Sequence, residues 1–175
     1  MADRIIKPDS GDQLVLQDEG GSDALVISTS GEITKALQPA FLAYNSATQS
    51  NLAVDTLIDV VWGGTDIFDQ GGDFSSNTFT APVTGRYQLN TLLRLASMDE
   101  NANYYYWSFI TSNRNYQFLM EPKGFDSDPT YWGTAMSMLV DMDASDTALV
   151  KIYQSGGSVQ TDINADSYFS GYLVA

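Results

Sequence analysis

The stretch "FTAPVTGRYQLN", Phe79 to Asn90, decides the fold. Pro82 fixes its own φ and biases Ala81 toward extended backbone, and Gly85 is expected to supply a positive φ just before the next strand. From there the residues alternate. Tyr87, Leu89, Thr91, Leu93 and Leu95 fall on one face, and Arg86, Gln88, Asn90 and Arg94 on the other. A period of two with one apolar face predicts a strand packed on a core on one side and wetted on the other. The corner is therefore structural: Phe79 plugs the end of a sandwich while the rigid turn sets strand register.

Working outward, the chain from Pro39 repeats this grammar of short strands and turn residues. The predicted strands are Ala40 to Asn45, Thr56 to Trp62, Thr78 to Ala81, Arg86 to Ser97, Tyr104 to Thr111, Tyr116 to Met120, Thr134 to Asp141, Thr147 to Ser155 and Tyr168 to Val174. Gly133 and the Gly156-Gly157 pair are expected to mark turns, and Pro122 and Pro129 to bracket a loop. No amphipathic helix interrupts the run, which predicts an all-β sandwich or jelly roll.

Residues 1–37 read differently. "LVL" (Leu14 to Leu16), "ALVIS" (Ala24 to Ser28) and "GEIT" (Gly31 to Thr34) are strand-like pieces separated by Gly, Asp and Ser turns. A segment of under about 40 residues seldom builds its own core. Ile5, Ile6, Leu14, Leu16, Leu25, Ile27 and Ile33 are the side chains that need a partner surface; the alternative is a floppy leader with incidental hydrophobes. The expected organisation is an N-terminal anchoring β segment over 1–37 and one β domain over 38–175.

Composition narrows the function. Eight Lys and Arg face 22 Asp and Glu, a net charge of −14, which disfavours nucleic acid and anionic membrane surfaces. The acids are spread along the chain, 7 of them in residues 1–37 and 15 after, so they read as a solubility feature. Cysteine and histidine are absent, which removes disulfides, thiol nucleophiles, imidazole bases and the usual zinc ligands. The opening "MADRIIKPDSGDQ" lacks the apolar centre of a secretion signal, and no run approaches a membrane span; a protein made and first used in a cytoplasm is expected.

The remaining motifs carry no catalytic signature. "DMDASD" at 141–146 opens like a calcium loop, but Asp146 stands where glycine is needed and Ile152 where the bidentate glutamate is needed. A solvated turn is the favoured reading, with calcium at some acidic loop left open. "WGGTD" and "DQGGDF" lack the lysine and helix of a phosphate loop, and no triad forms without histidine. Paired carboxylates of the glycosidase kind remain a remote third option, since no pair stands out. No enzyme activity and no cofactor are expected.

"YYYWSFI" puts Tyr105, Trp107 and Phe109 on one face of a strand and Tyr104, Tyr106 and Ile110 on the other, so both faces are heavy with rings. The last strand repeats this, with Tyr168 and Tyr172 on one side and Phe169 and Leu173 on the other. A sandwich strand has one inner face to hide. Burial against another subunit accounts for the excess, and Tyr104, Tyr106, Trp107, Phe169 and Tyr172 are the expected trimer-interface residues; single surface tyrosines are the alternative.

On these residues, the chain from about Pro39 to Ala175 resembles the C1q/tumour-necrosis-factor-like family. Phe79, Pro82, Gly85 and Tyr87 of "FTAPVTGRY" carry the likeness, with "DTALVKI" at Asp146 to Ile152 and "FSGYLV" at Phe169 to Val174. Leu89 and Thr91 replace aromatics usual in that pattern, and the spacing around Phe68 and Phe74 is irregular. The resemblance implies a jelly-roll homotrimer that acts by binding. The leader resembles N-terminal segments of bacteriophage fibre and head-decoration proteins. Together they imply a virion component assembled in the host cytoplasm: a capsid decoration, cement or short head-fibre protein whose partners are itself and the major capsid protein or another virion protein. The alternative is a tail-fibre or receptor-binding protein recognising host glycans, with Tyr131 and Trp132 in the Glu121 to Trp132 loop as the candidate sugar contacts, residues that equally suit packing between subunits.

Overall fold

The computed structural model describes residues 8–9, 11–63 and 66–175. The chain divides into two compact units, one ending at Gln38 and the other running Pro39–Ala175. The first is a three-stranded antiparallel sheet of β1 (Leu14–Gln17), β2 (Asp23–Ile27) and β3 (Ile33–Thr34), in that order. Its hairpins turn at Gly21 and Gly31, with φ of 85° and 97°. The Asp18 carboxylate accepts the Ser22 N–H at 2.8 Å and the Ser28 hydroxyl accepts the Glu32 N–H at 3.1 Å, so short polar side chains close both turns.

The second unit is a sandwich of two sheets. The front sheet contains β4 (Ala40–Tyr44), β6 (Asp66–Gln70), β9 (Gly85–Ala96), β12 (Tyr131–Met142) and β15 (Tyr168–Leu173) in the order β12-β9-β15-β4-β6, with β14 (Asp162–Ile163) paired to β9. The back sheet contains β5 (Leu57–Asp59), β7 (Phe74–Ser75), β8 (Thr78–Thr80), β10 (Tyr104–Thr111), β11 (Asn115–Met120) and β13 (Thr147–Ser155) in the order β11-β10-β13-β8-β7, with β5 paired to β13. Every pairing is antiparallel, and the architecture is an all-β jelly roll.

The Phe79–Asn90 stretch is where the chain crosses between the sheets, from β8 to β9. The Tyr87 hydroxyl donates back to the Val83 carbonyl at 2.7 Å and pins the corner. Phe79 is buried and stacks on Phe41 with ring centroids 4.8 Å apart. The reason for Gly85 differs from the expected one. It has no positive φ; a Cβ there would stand 2.7 Å from the Ala175 carbonyl oxygen and 2.6 Å from a Leu173 methyl. Close approach of neighbouring chain, rather than turn geometry, requires the glycine.

Tyr87, Leu89, Thr91, Leu93 and Leu95 all face the core, as their alternation predicts. Around them lie Phe41, Phe74, Phe79, Phe109, Trp62 and Phe169, with Phe41 within 5 Å of three other phenylalanine rings, Phe74 at 4.9 Å, Phe79 at 4.8 Å and Phe169 at 4.9 Å. Gly171 allows this crowding: a Cβ on it would fall 2.7 Å from the Phe41 ring and 2.8 Å from Leu89.

Three short strands were not expected: β6, β7 and β14. The "DQGGDF" stretch, read as a plain loop, ends β6 at Gln70 and begins β7 at Phe74, so it is a second crossing between sheets; Gly71 and Gly72 make the turn with φ of 105° and 75°. That crossing explains the irregular Phe68 and Phe74 spacing, since Phe68 lies on the front sheet's outer side and Phe74 in the core. Gly133 is not a turn. It sits inside β12 opposite Arg94, because a twelve-residue ladder with β9 outweighs the weak strand propensity of one glycine. The Gly156-Gly157 turn is present, with φ of 62° and 79°.

Candidate assembly surfaces

In the N-terminal sheet, Leu14 lies opposite Ile27, Leu16 opposite Leu25, and Ile27 opposite Ile33. Residues directly opposite share a face, so Leu14, Leu16, Leu25, Ile27 and Ile33 form one apolar face across three strands. Leu16 is 56% exposed and Ile33 61%, and no described residue from 11 to 37 is fully buried. Taken by itself, the sheet has an apolar side and, among the described residues, no buried core of its own. Ile5 and Ile6 fall outside the described residues.

On the second unit, Pro39–Ala175, called the head from here on, the outer side of the front sheet carries the second apolar surface. One row runs Tyr44, Tyr168, Leu92, Ala135; the next Phe68, Leu42, Ser170, Asn90, Ser137; the third Gln70, Ala40, Tyr172, Gln88, Leu139. These residues alternate with the core set of β9, so they point away from it. Tyr44, Leu42, Phe68, Tyr168 and Tyr172 line an open groove of about 770 Å³, and Tyr172 is 48% exposed. A polar seam crosses it: the Gln88 side-chain amide donates to the Ser137 hydroxyl at 2.9 Å, which donates to the Asn90 side-chain oxygen Oδ1 at 2.8 Å. The seam links three of the polar side chains on this face to one another.

The expected interface set therefore divides. Tyr172 lies on the front sheet's apolar face. Tyr104 and Tyr106 lie on the outer side of the opposite, back sheet, stacked with Tyr153 at centroid distances of 6.1 and 5.0 Å. Trp107 and Phe169 are both 0% exposed inside the chain's own core and are corrected out of any intersubunit contact. The alternation that put Tyr104 and Tyr106 outward necessarily puts Trp107 inward with Tyr105 and Phe109. Sequence reasoning missed Leu42, Tyr44, Phe68 and Leu139 as outward apolar residues; Leu42 and Tyr44 were signalled by β4, "AFLAY", which carries Phe41 on one face and Leu42 and Tyr44 on the other.

Tyr131 and Trp132 belong to β12 rather than to a loop, although the preceding segment is irregular apart from one 3-10 turn at Pro122–Gly124. As neighbours on a strand they point to opposite sides, so one sugar ring cannot rest on both. Tyr131 carries the Arg94 guanidinium 4.5 Å above its ring, and Arg94 is itself paired to Asp166. Trp132 meets Phe125 edge-on at 5.1 Å.

The acidic turn at 141–146 is tied up in its own contacts. The Asp146 carboxylate accepts from the Asp143 N–H at 2.8 Å and the Asn113 amide at 2.9 Å, and Asp141 pairs with Arg114 at 2.8 Å. That hydrogen-bonded guanidinium holds the Asp141 carboxyl below its ordinary range. Among the described residues no three acidic, histidine or cysteine side chains are placed to hold a metal, and no helix is long and apolar enough to cross a membrane.

No family model matches the chain, and no curated protein matches its sequence. Solved structures do match in fold. The globular domain of the zebrafish complement 1qA protein superimposes with a TM-score of 0.59 at 15% identity, over 79% of this chain and 98% of that one. Murine APRIL superimposes with a TM-score of 0.57 at 10% identity, over 78% and 99% respectively. The fold is thus the jelly roll of C1q and TNF-family domains.

Proposed function

We propose that the chain is a non-enzymatic structural protein that closes into a homotrimer through the outer face of the front sheet and is carried on a bacteriophage particle, as a capsid decoration, cement or short head-fibre protein docked through its N-terminal sheet. The observation that carries the assembly half is the apolar face on β6, β4 and β15 of the front sheet, with Leu42, Tyr44, Phe68, Tyr168 and Tyr172 around one groove. Three strands span about 10 Å, and four outward aromatic rings gathered in that width form the kind of apolar patch that marks an interaction site. The C1q and TNF-family fold supports a structural or binding role rather than catalysis.

The docking half rests on the five-residue face of the N-terminal sheet. A sheet with an apolar side and no core of its own gains stability only when something covers it, and a repeating capsid surface of the major capsid protein or another virion protein would do so. The leader's likeness to phage head-decoration and fibre segments favours a virion as that body, and the tail-fibre or receptor-binding reading differs in copy number and in adding recognition of host glycans.

Two variants test the proposal. Tyr168→Lys with Tyr172→Lys is expected to reduce the solution mass from three chains to one while leaving the far-ultraviolet β signal intact. Deleting residues 1–37 is expected to leave a soluble trimer that no longer binds purified capsids. A trimer that survives the lysines refutes the interface, and capsid binding by the truncated form refutes the docking role.

A further inference from the structure

The outer side of the back sheet carries a second aromatic surface, on the sheet opposite the assembly face. Leu119, Tyr106, Tyr153 and Leu57 stand directly opposite one another across β11, β10, β13 and β5. Their row alternates with the buried Tyr105, Trp107 and Phe109, so it faces outward. Tyr104 joins it from the next position on that face, and the Tyr104, Tyr106 and Tyr153 rings lie within 24° of parallel, with centroids 5.0 to 6.4 Å apart. Four strands place the two ends of the row about 14 Å apart.

Polar groups of a particular kind flank the row. On one side Lys151 is bound to Asp59 at 2.7 Å. On the other, one oxygen of Asp55 accepts the Gly156 N–H at 3.0 Å and the Tyr153 hydroxyl at 3.3 Å, while Oδ2 has no partner among the described residues. Asp55 itself is exposed. The result is a strip of three phenol rings beside a carboxylate that is held in place and still has an acceptor to offer.

We propose that this strip is a binding platform for a neutral oligosaccharide of two to three sugar rings. Tyrosine presents an apolar body and a wet hydroxyl, which suits a ligand with C–H faces and hydroxyl edges. The free oxygen of Asp55 accepts a pair of sugar hydroxyls. Charge selects against anionic glycans, since the chain carries −14 and the Lys151 cation on this face is already engaged by Asp59. The platform is independent of the trimer and virion readings, because it uses the other sheet.

The test titrates the full chain, carrying isotope-labelled tyrosine, with maltotriose, cellotriose and chitotriose up to ~10 mM, a range suited to weak sugar binding. At least one trisaccharide is expected to shift the Tyr104, Tyr106 and Tyr153 ring signals saturably while Tyr131 and Tyr168 stay fixed. Tyr106→Ala should weaken binding by at least ~10-fold. Tyr153→Phe keeps the ring and the packing, and is expected to bind more weakly than the parent but better than Tyr106→Ala. No movement of these three rings with any of the sugars overturns the proposal, as does movement confined to Tyr131. A change in solution mass on Tyr106→Lys would assign the strip to a second copy of the chain and overturn it equally.

Discussion

Gly171 and Tyr105 show how single positions hold this sandwich together. Gly171 lets the Phe41 ring lie against β15, and a methyl there collides with that ring and with Leu89. Gly171→Ala is expected to destabilise the chain by ~1–3 kcal/mol through overpacking, read as a lowered urea midpoint with an unchanged slope. Tyr105 sits in a buried polar chain: its hydroxyl accepts the Asp99 N–H at 2.9 Å and bonds Thr161 at 2.8 Å, and Thr161 donates to Gln154 at 2.8 Å. Tyr105→Phe leaves the Asp99 N–H without its acceptor and is expected to cost ~1–3 kcal/mol at neutral pH. Burial raises the Tyr105 hydroxyl above its ordinary value of 10.0, ahead of the opposing hydrogen bonds. Its contribution is therefore complete below pH 10 and lost as pH rises through the elevated folded value. Chemical denaturation between pH 9 and 12 should show Tyr105→Phe losing less stability over that range than the parent; an equal loss would remove Tyr105 from the alkaline response.

Among the elements, β9 was the most legible in the sequence, because strict alternation from Tyr87 to Leu95 leaves only one way to face the core. Strand β10 was equally legible in position, yet its ring-rich outer face did not reveal what covers it. Burial on the inner face follows from period, while contact with a partner depends on which sheet the strand joins. Strands β6, β7 and β14 were hidden because five-residue and two-residue pieces flanked by Gly, Asp and Asn have too short a period to see. The N-terminal sheet was legible down to its face, since Leu14, Leu16, Leu25, Ile27 and Ile33 share one side by register. Because that face lacks a core, Leu16→Lys with Ile33→Lys is expected to leave the thermal midpoint of the head within about 2 °C while abolishing capsid binding, as surface changes away from packed features usually cost little. A large fall in the head's midpoint would mean that the leader serves folding instead.

At the scale of the whole molecule, the chain has two sheet faces that a sandwich does not need. The core is complete without the outer side of the front sheet, where Tyr44, Phe68, Tyr168 and Tyr172 surround an open groove, and the back sheet adds its strip of tyrosines. Sequence alternation anticipated an excess of rings but placed Trp107 and Phe169 at the interface when both complete the core. The surplus lies instead on β4, β6 and β15, where apolar residues occupy the outward positions that a solitary domain fills with polar ones. Threefold closure over that face is the central claim. Sedimentation equilibrium of the full chain, from micromolar protein down to the detection limit, tests it most directly. The predicted result is a single species of three times the chain mass that falls to one chain on Tyr168→Lys with Tyr172→Lys, and a folded species of one chain mass at every concentration would contradict it.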